Sequence, residues 1–248
     1  MPLAAPKRLR HPERVHGLRF LAILMVGMTA TGCVSMGAMQ RADTLKPGAS
    51  QVLVETSIQG AVGEDLGDGS RIGWPYLGVH YRRGLSERVE LSVGAALLAL
   101  QGALKVRLDE PREDGMIVSV APGIGGSIWG EEGRRSGVFT ATLPVLLGWR
   151  LGERGQLVLS PRAQYLRTFP QPGSTREPIN LFAVGSSLGV LIPLSQSLGV
   201  MPEVSMLVPF GTDRFELYER LSPRIGGTRG VLFQLGLGLL FGGLDQNE

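Results

Sequence analysis

The chain has 248 residues, including 36 glycines, three histidines and one cysteine, and 25 Lys and Arg stand against 22 Asp and Glu. A single cysteine excludes an internal disulfide. Two of the three histidines, His11 and His16, lie in the N-terminal segment described next, and the one cysteine and one histidine left without it cannot supply a zinc site. Glycine is present at about twice its average share. Much of it lies inside strand-like segments, which indicates bends and tight curvature.

Residues 1–32 have the layout of a secretory signal peptide. Five basic residues and one acid form the head, an apolar run extends from Phe20 to Ala30, and small residues follow. The run is shorter than the roughly 20 residues that a spanning helix needs. Removing this leader leaves 20 basic and 21 acidic side chains, and this balance argues against a nucleic-acid partner.

The signal ends in Ala30-Thr31-Gly32-Cys33, which resembles the bacterial lipobox. That resemblance implies that Cys33 is acylated, with palmitate-type chains, and becomes the mature N-terminus. The residue after the cysteine is Val34 and not aspartate. By analogy with enterobacterial lipoproteins, this implies sorting to the outer membrane. The alternative is an ordinary signal peptide that contains a cysteine. We interpret residues 33–50 as a lipidated N-terminus and polar tether, with a breaker at Pro47-Gly48.

From residue 51 onward the chain alternates apolar positions with small or polar ones, the pattern of β-strands. The final segment is the clearest, with Val231, Phe233 and Leu235 on one face and Leu232 and Gln234 on the other. We predict an all-β barrel domain over 51–242 and a C-terminal tail over 243–248. The ten predicted strands are 51–60, 73–83, 88–98, 102–109, 115–127, 137–150, 155–168, 180–193, 197–208 and 230–241.

The links between these strands alternate in length, which is typical of outer-membrane barrels. Tight turns are predicted at 84–87, 153–154 and 195–196, and longer links at 61–72, 128–136, 169–179 and 209–229. Opposite residues in a hairpin point the same way. The turns then predict the pairs His80–Glu90, Gly78–Ser92, Arg150–Gln156, Pro144–Arg162, Gly189–Met201 and Ser187–Glu203.

The aromatic residues fall into two groups along the predicted strands. Two belts of aromatics are typical of lipid-facing barrels, and the alternative is a scatter of core aromatics. One group is Tyr81, Trp149 and Phe241, near the tight turns, and the other is Trp74, Phe139, Tyr165 and Phe182.

On this pattern, residues 51–241 resemble the small bacterial outer-membrane β-barrel families, OmpX-like proteins and the outer-membrane β-barrel domain. The resemblance rests on pattern and not on a motif. It implies an antiparallel up-and-down transmembrane barrel of about ten strands in a Gram-negative outer membrane. Together with the lipobox it implies a lipid anchor at the periplasmic side. The partners implied are outer-membrane lipid and the barrel-assembly and lipoprotein-sorting machinery; no specific partner follows.

The inward face of this barrel is predicted to carry charges of both signs. A barrel of eight strands is filled by side chains, and an open channel needs roughly 16–18. We therefore expect these charges to pair and plug the lumen, and the alternative is a narrow pathway whose arginines attract small anions. The predicted lumen charge network is Glu55, His80, Arg82, Glu90, Lys105, Arg107, Arg150, Arg162 and Glu203.

The sequence offers little for catalysis. His80 is the only histidine after the leader, and Glu90 is its predicted partner. A His–carboxylate pair without a placed nucleophile does not make a hydrolase, so we expect no enzymatic activity, no cofactor and no metal. The glycine-rich run at 123–126 lies in a strand pattern with no helix after it, so we interpret it as curvature and not as a phosphate-binding loop.

The link at 209–229 is the most distinctive surface segment, because aromatic and charged residues interleave there. We interpret it either as a solvated loop or as a recognition or lid element. The candidate recognition residues are Asp213, Phe215, Glu216, Tyr218 and Arg220.

Three functions remain open from the sequence. The first is a lipid-anchored outer-membrane barrel with a structural or surface-interaction role. The second is a narrow channel or small-ligand binder built on the same barrel. The third is a soluble periplasmic β-barrel or sandwich that Cys33 alone holds to the membrane.

Overall fold

The structure is a computed structural model, and it describes only part of the chain. The chain divides into two units, residues 1–30 and residues 31–248, and every described residue belongs to the second. The predicted signal peptide, Cys33 and the five candidate recognition residues all lie outside the described residues. Within the described part of the chain, no helix is long and apolar enough to cross a membrane. The described residues are 37–63, 70–96, 99–110, 115–131, 134–152, 154–171, 178, 180–210 and 230–244.

Eleven β-strand segments make up the regular structure of these residues. Their bounds lie within about three residues of the predicted ones for most strands, because the alternation of apolar and small residues marks each strand clearly. The segments are β1 (Ser50–Gly63), β2 (Ser70–Ser86), β3 (Val89–Ala96), β4 (Ala99–Arg107), β5 (Met116–Val120), β6 (Gly123–Glu131), β7 (Arg134–Leu151), β8 (Gly155–Phe169), β9 (Asn180–Pro193), β10 (Leu198–Phe210) and β11 (Gly230–Phe241).

The segments close into a single antiparallel barrel. β1 pairs with β2 on one side and with β11 on the other, and the remaining segments pair in chain order around the ring. β5 and β6 together form one strand of the barrel, because both pair with β4 and with β7 and the register does not shift between them. The ladder is interrupted at Pro122, which has no N–H to donate. The barrel therefore has ten strands, as predicted.

The two ends of the barrel differ less than the sequence indicated. We call the end where β1 starts and β11 finishes the terminal end, and the opposite end the loop end. At the loop end, the predicted long link at 128–136 is wrong, because β6 continues to Glu131 and β7 starts at Arg134. The link between β3 and β4 is two residues, and the predicted strand bounds had already indicated a short link there. Long links at this end are those between β8 and β9 and between β10 and β11.

The faces of the strands were predicted better than their registers. Arg150 pairs with Gln156 and Pro144 with Arg162, as predicted. The other two hairpins slip by an even number of residues. His80 pairs with Gly94 and not with Glu90, because β2 continues to Ser86 and the turn comes later than predicted. The remaining three predicted pairs are likewise wrong, because Ser92 pairs with Arg82, Gly189 with Glu203 and Ser187 with Ser205.

The barrel has an apolar outside and a polar inside. Thirty large hydrophobic side chains of the described residues are exposed, among them Leu235 at 57% and Leu237 at 43%, while twenty-two polar or charged ones are buried. Tyr81, Trp149 and Phe241 are exposed near the terminal end. Toward the loop end, Phe139 and Phe182 are exposed and Tyr165 lies 4.8 Å from the Phe182 ring, between centroids. The side chain of Trp74 lies outside the described residues.

The hydrophobic core lies inside the lumen, at the terminal end. Inward-facing apolar side chains gather there around residues that precede β1, a feature the sequence analysis did not predict. Its members are Met39, Ala42, Leu53, Ile117, Ala121, Leu146, Val158, Leu191, Met201, Leu240 and Leu244.

Candidate functional site in the barrel lumen

We call residues 37–49 the plug segment; residues 37–45 lie inside the barrel, and residues 46–49 connect them to β1, with Pro47 and Gly48 exposed. Met39, Ala42 and Leu45 are at most 2% exposed, and the first two pack in the lumen core. The sequence analysis interpreted 33–50 as a polar tether and missed this burial. The one available signal was the spacing of these three apolar residues, which recur at every third position.

The plug segment enters at the terminal end and runs toward the loop end. Its junction with β1 is tied down by two backbone bonds, since the Gly48 N–H donates to the Gly84 carbonyl at 2.9 Å and the Gly84 N–H donates to Ala49 at 3.0 Å. A Cβ on Gly84 would collide with the carbonyls of Leu45 and Lys46. Glycine at this position therefore lets the backbone of β2 approach the plug segment closely.

Lumen side chains supply the hydrogen bonds that the inner part of the plug backbone lacks. Glu203 accepts from the N–H groups of Ala38 at 2.8 Å and Met39 at 2.6 Å. The Arg82 Nη2 donates to the Met39 carbonyl at 2.6 Å. Because buried backbone groups must be paired, these two charged residues act as the partners that a neighbouring strand would otherwise provide.

The middle of the plug segment is held in the same way from the opposite wall. The Ala42 N–H donates to Gln156 Oε1 at 2.8 Å, and the Ser119 hydroxyl donates to the Ala42 carbonyl at 2.5 Å. A Cβ added at Gly148 would lie 2.5 Å from the Ala42 Cβ. The wall thus combines a hydrogen-bonding frame with a glycine that leaves room for Ala42.

A cluster of charged side chains closes the lumen toward the terminal end. Lys105 Nζ lies 2.8 Å from Glu90 Oε2, with both side chains at most 3% exposed, and also donates to the Arg41 carbonyl. Glu90 Oε2 accepts the Leu45 N–H at 3.0 Å. Arg41 holds Asp43 through two N–H groups, at 2.7 and 2.5 Å. The charges do pair, but they pair around an inserted peptide.

His80 contacts a different carboxylate from the one predicted. Its Nε2 lies 3.2 Å from Glu55 Oε2, and Glu55 also accepts from Gln234 Nε2 at 3.1 Å. The predicted partner Glu90 pairs with Lys105 instead, because the β2–β3 register places it opposite Gly84. The His80–Glu90 pair suggested by the sequence is therefore wrong.

The predicted charge network is inside the lumen with one exception. Arg150 is exposed near the terminal end, because β7 ends one residue later. The other eight are buried or nearly so: Glu55, His80, Arg82, Glu90, Lys105, Arg107, Arg162 and Glu203.

Arg107 is paired at the rim with a residue that the sequence analysis did not select. Its Nε and Nη2 donate to the Asp109 carboxylate, with Nη2 at 2.7 Å, and the Val118 N–H donates to the same carboxylate at 2.9 Å. Burial would raise the pKa of Asp109, but these hydrogen bonds and the Arg107 charge outweigh it, so the pKa lies below its ordinary value. This carboxylate therefore stays ionised and pins the β4–β5 link to the barrel.

A cavity of about 70 Å³ lies beside the inner part of the plug segment, next to Ala38 and Gln40. Gly37, Glu55, His80, Gln101 and Arg162 are among the residues that line it. Polar and charged groups therefore face this space in the middle of the lumen. Within the described part of the chain, no group of three or more His, Cys, Asp or Glu could hold a metal ion.

No family model matches this chain, and no curated protein matches it. Among solved structures it is similar to Neisserial surface protein A, with 10% identity over 78% of this chain and 98% of that one, at a TM-score of 0.40. It is also similar to the outer membrane protease OmpT from Escherichia coli, with 9% identity over 80% of this chain and 98% of that one, at a TM-score of 0.42. A third similar structure is the outer membrane protein OprG from Pseudomonas aeruginosa, with 11% identity over 82% of this chain and 99% of that one, at a TM-score of 0.33. The barrel architecture rests on the strand pairing and not on these likenesses.

Proposed function

We propose that this chain is a lipid-anchored outer-membrane β-barrel with a structural or surface-interaction role and no enzymatic activity. The observation that carries the proposal is the plug segment, which fills the terminal end of a narrow lumen whose outer wall is apolar. A barrel closed by its own chain serves as a scaffold and not as a pore.

The outer wall supports membrane insertion. Soluble proteins rarely expose a contiguous apolar patch above a few hundred Å², whereas β11 alone exposes Leu235, Leu237, Leu239 and Phe241 on one face. The facing strands continue that surface, since Val204 and Met206 of β10 are exposed beside them. Burying charged groups inside while exposing aliphatic groups outside is unfavourable in water and favourable in a bilayer.

The lumen supports a closed, non-conducting state. Ten strands leave a narrow interior, and Met39, Ala42 and Leu45 occupy its terminal end with almost no exposed surface. Glu203 and Arg82 hold the same segment through charge-assisted hydrogen bonds, which are stronger than neutral ones. Thermal motion alone will not empty this part of the lumen.

The lipid anchor is proposed from the lipobox-like run at Ala30–Cys33. Cys33 precedes Gly37 by four residues, a span of at most about 14 Å, and Gly37 lies in the lumen beside Glu203 and Gln234. An acyl chain on Cys33 must reach the bilayer while Gly37 stays in the lumen, so the four-residue span limits where the acylated cysteine can lie. Mass spectrometry of the N-terminal peptide tests the acylation directly, with the Cys33→Ser variant as the unmodified control.

Membrane insertion is tested by washing membranes with alkaline carbonate. We expect the Cys33→Ser variant to stay in the membrane, because the apolar outer wall holds it there without a lipid. Heat-dependent migration on a detergent gel shows that the variant is folded. If folded Cys33→Ser protein washes off, the barrel is a soluble periplasmic one tethered by lipid, and the insertion proposal is wrong.

Closure is tested by planar-bilayer conductance. The intact protein is expected to give no steady current, and deletion of residues 37–48 is expected to open one. A steady current through the intact protein that Arg162→Glu abolishes would contradict closure and would favour the narrow-channel function instead.

A further inference from the structure

Among the side chains that the structure describes, the outer wall of the barrel carries few charges, and all of them are positive. Most exposed residues of this wall are apolar, as Phe139 of β7 is. The charged residues exposed on the outer face of a described strand are Arg83, Arg135 and Arg167. Arg150 is also exposed, but it belongs to the inward-facing series of β7. An arginine on a lipid-facing wall is unfavourable at the middle of a bilayer and tolerated near the headgroups. We therefore expect the three outer arginines to lie at headgroup level.

Two of these arginines, Arg135 and Arg167, lie together at the loop end on the neighbouring strands β7 and β8. Arg167 pairs with Phe139, and Arg135 stands four positions before Phe139 on the same face of β7. The guanidinium carbon of Arg167 lies 5.4 Å from the centroid of the Phe169 ring. Phe169 in turn pairs with Gly137, two positions from Arg135. The side chain of Arg167 therefore extends toward the loop end and toward Arg135, and the two guanidinium groups can reach the same headgroup.

The surroundings of the two arginines add a further donor and no described negative charge. Arg167 pairs on its other side with Asn180 of β9, which is exposed. The Tyr165 hydroxyl donates to Asn180 Oδ1 at 2.8 Å, which leaves the Asn180 amide NH2 group as a donor. Neither arginine forms an ion pair with a described acidic side chain. The exposed rings of Phe139, Phe169 and Phe182 lie on the same outer face. This patch combines apolar rings with hydrogen-bond donors and is complementary to an anion that carries apolar chains.

We propose that Arg135 and Arg167 bind the phosphate of an anionic lipid headgroup in the leaflet at the loop end. A guanidinium group holds two phosphate oxygens at once, which an ammonium group does not. The acyl chains of the lipid then contact the apolar wall below, beginning at Phe139 and Phe169. Free phosphate is attracted by the same charges but gains nothing from that wall, so a lipid is favoured over a dissolved anion. The inference rests on the membrane insertion proposed above and adds the lipid chemistry that one part of the wall selects.

The test is native mass spectrometry of the full chain folded in a non-ionic detergent, with phosphatidic acid and phosphatidylcholine of the same acyl chains as probes. The wild type is expected to retain one phosphatidic acid after the detergent is removed and to prefer it to phosphatidylcholine. The Arg135→Gln and Arg167→Gln double variant is expected to bind phosphatidic acid about tenfold more weakly or worse. Arg83→Gln removes the outer arginine at the terminal end and is the matched control, expected to retain this lipid like the wild type.

The proposal is wrong if the folded wild type retains both lipids equally, if the double variant binds phosphatidic acid unchanged, or if Arg83→Gln loses as much. Displacement of the lipid by an excess of inorganic phosphate would likewise contradict it and would indicate a site for the free anion. Both arginines are exposed on the outer wall, so their replacement leaves the lumen unchanged, and heat-dependent gel migration shows that each variant is folded. The carbonate wash is read separately. A protein that stays in the membrane but shows no lipid preference contradicts this inference alone, whereas one that washes off contradicts the insertion.

Discussion

The lumen has two parts, one filled by the plug segment and one beyond it, and the same ten strands line both. In the filled part, Arg82, Glu90, Gln156 and Glu203 each have a backbone partner in the plug segment. Buried side-chain atoms without a partner occur in both parts: Arg82 Nε and Glu90 Oε1 are in the filled part, and the others belong to Ser57, Ser127, Ser160, Arg162, Gln164, Ser186 and Ser187.

The difference shows what the plug segment contributes. A narrow barrel with inward-facing polar residues cannot satisfy all of them from its own wall, because strand backbones already bond to one another. An inserted peptide brings free N–H and C=O groups to the centre of the lumen and supplies hydrogen-bond partners to the residues that it reaches.

Deleting residues 37–48 is expected to have the largest effect. It removes the apolar contacts of Met39 and Ala42 and leaves Glu203 and Arg82 buried without their partners. We expect the free energy of unfolding to fall by more than about 5 kcal/mol, measured by urea titration in detergent. Adding a synthetic 37–49 peptide should restore part of it. An unchanged urea midpoint would show that the plug segment is not part of the folded core.

Lys105→Met is expected to have the next largest effect, because it leaves Glu90 as a buried charge without its counter-ion. The expected loss is about 3–5 kcal/mol of unfolding free energy. Adding Glu90→Gln should recover part of the loss, since the uncompensated charge is then gone. Lys46→Met is the control, since Lys46 is not fully buried. Equal effects of the two lysine variants would argue against a structural Lys105–Glu90 pair.

Gly148→Ala tests the close approach of the plug segment to the wall. The new methyl group would meet the Ala42 Cβ, and we expect a loss of about 1–3 kcal/mol from overpacking. Ala42→Gly in the same chain should relieve the collision, so that the double variant is less destabilised than the sum of the two single ones. The control is Gly102→Ala, whose added Cβ has only the Ser92 carbonyl nearby, at 3.8 Å.

Two serine substitutions, one in each part of the lumen, are expected to have the smallest effects on stability. The Ser119 hydroxyl donates to the Ala42 carbonyl, and Ser119→Ala is expected to lose about 1 kcal/mol. The Ser187 hydroxyl is buried without a partner, and Ser187→Ala is expected to change stability by less than about 0.5 kcal/mol. A reversed order of the two urea midpoints would contradict the division of the lumen.

Much of the barrel could be predicted because strand faces are encoded locally. Alternation over one strand decides which side chains point outward, and this is why Leu235 and Glu203 were assigned to the correct faces. Strand number followed from counting such segments. The register did not follow, because a slip of two or four residues keeps every side chain on its face. The β1–β2 register, and not the alternation, decides that His80 meets Glu55, because it pairs Glu55 with Gly78, two residues from His80 on the same face of β2.

Local pattern was therefore sufficient for the wall of the barrel, and only the folded chain decided what fills it. The bond from the Met39 N–H to Glu203 joins residues 164 positions apart, and the Ala42–Gln156 bond joins residues 114 apart. No local sequence pattern indicates either of these two bonds, because only closure of the sheet brings their residues together. The alternating strands required a lumen, and the three-dimensional arrangement placed the plug segment in it.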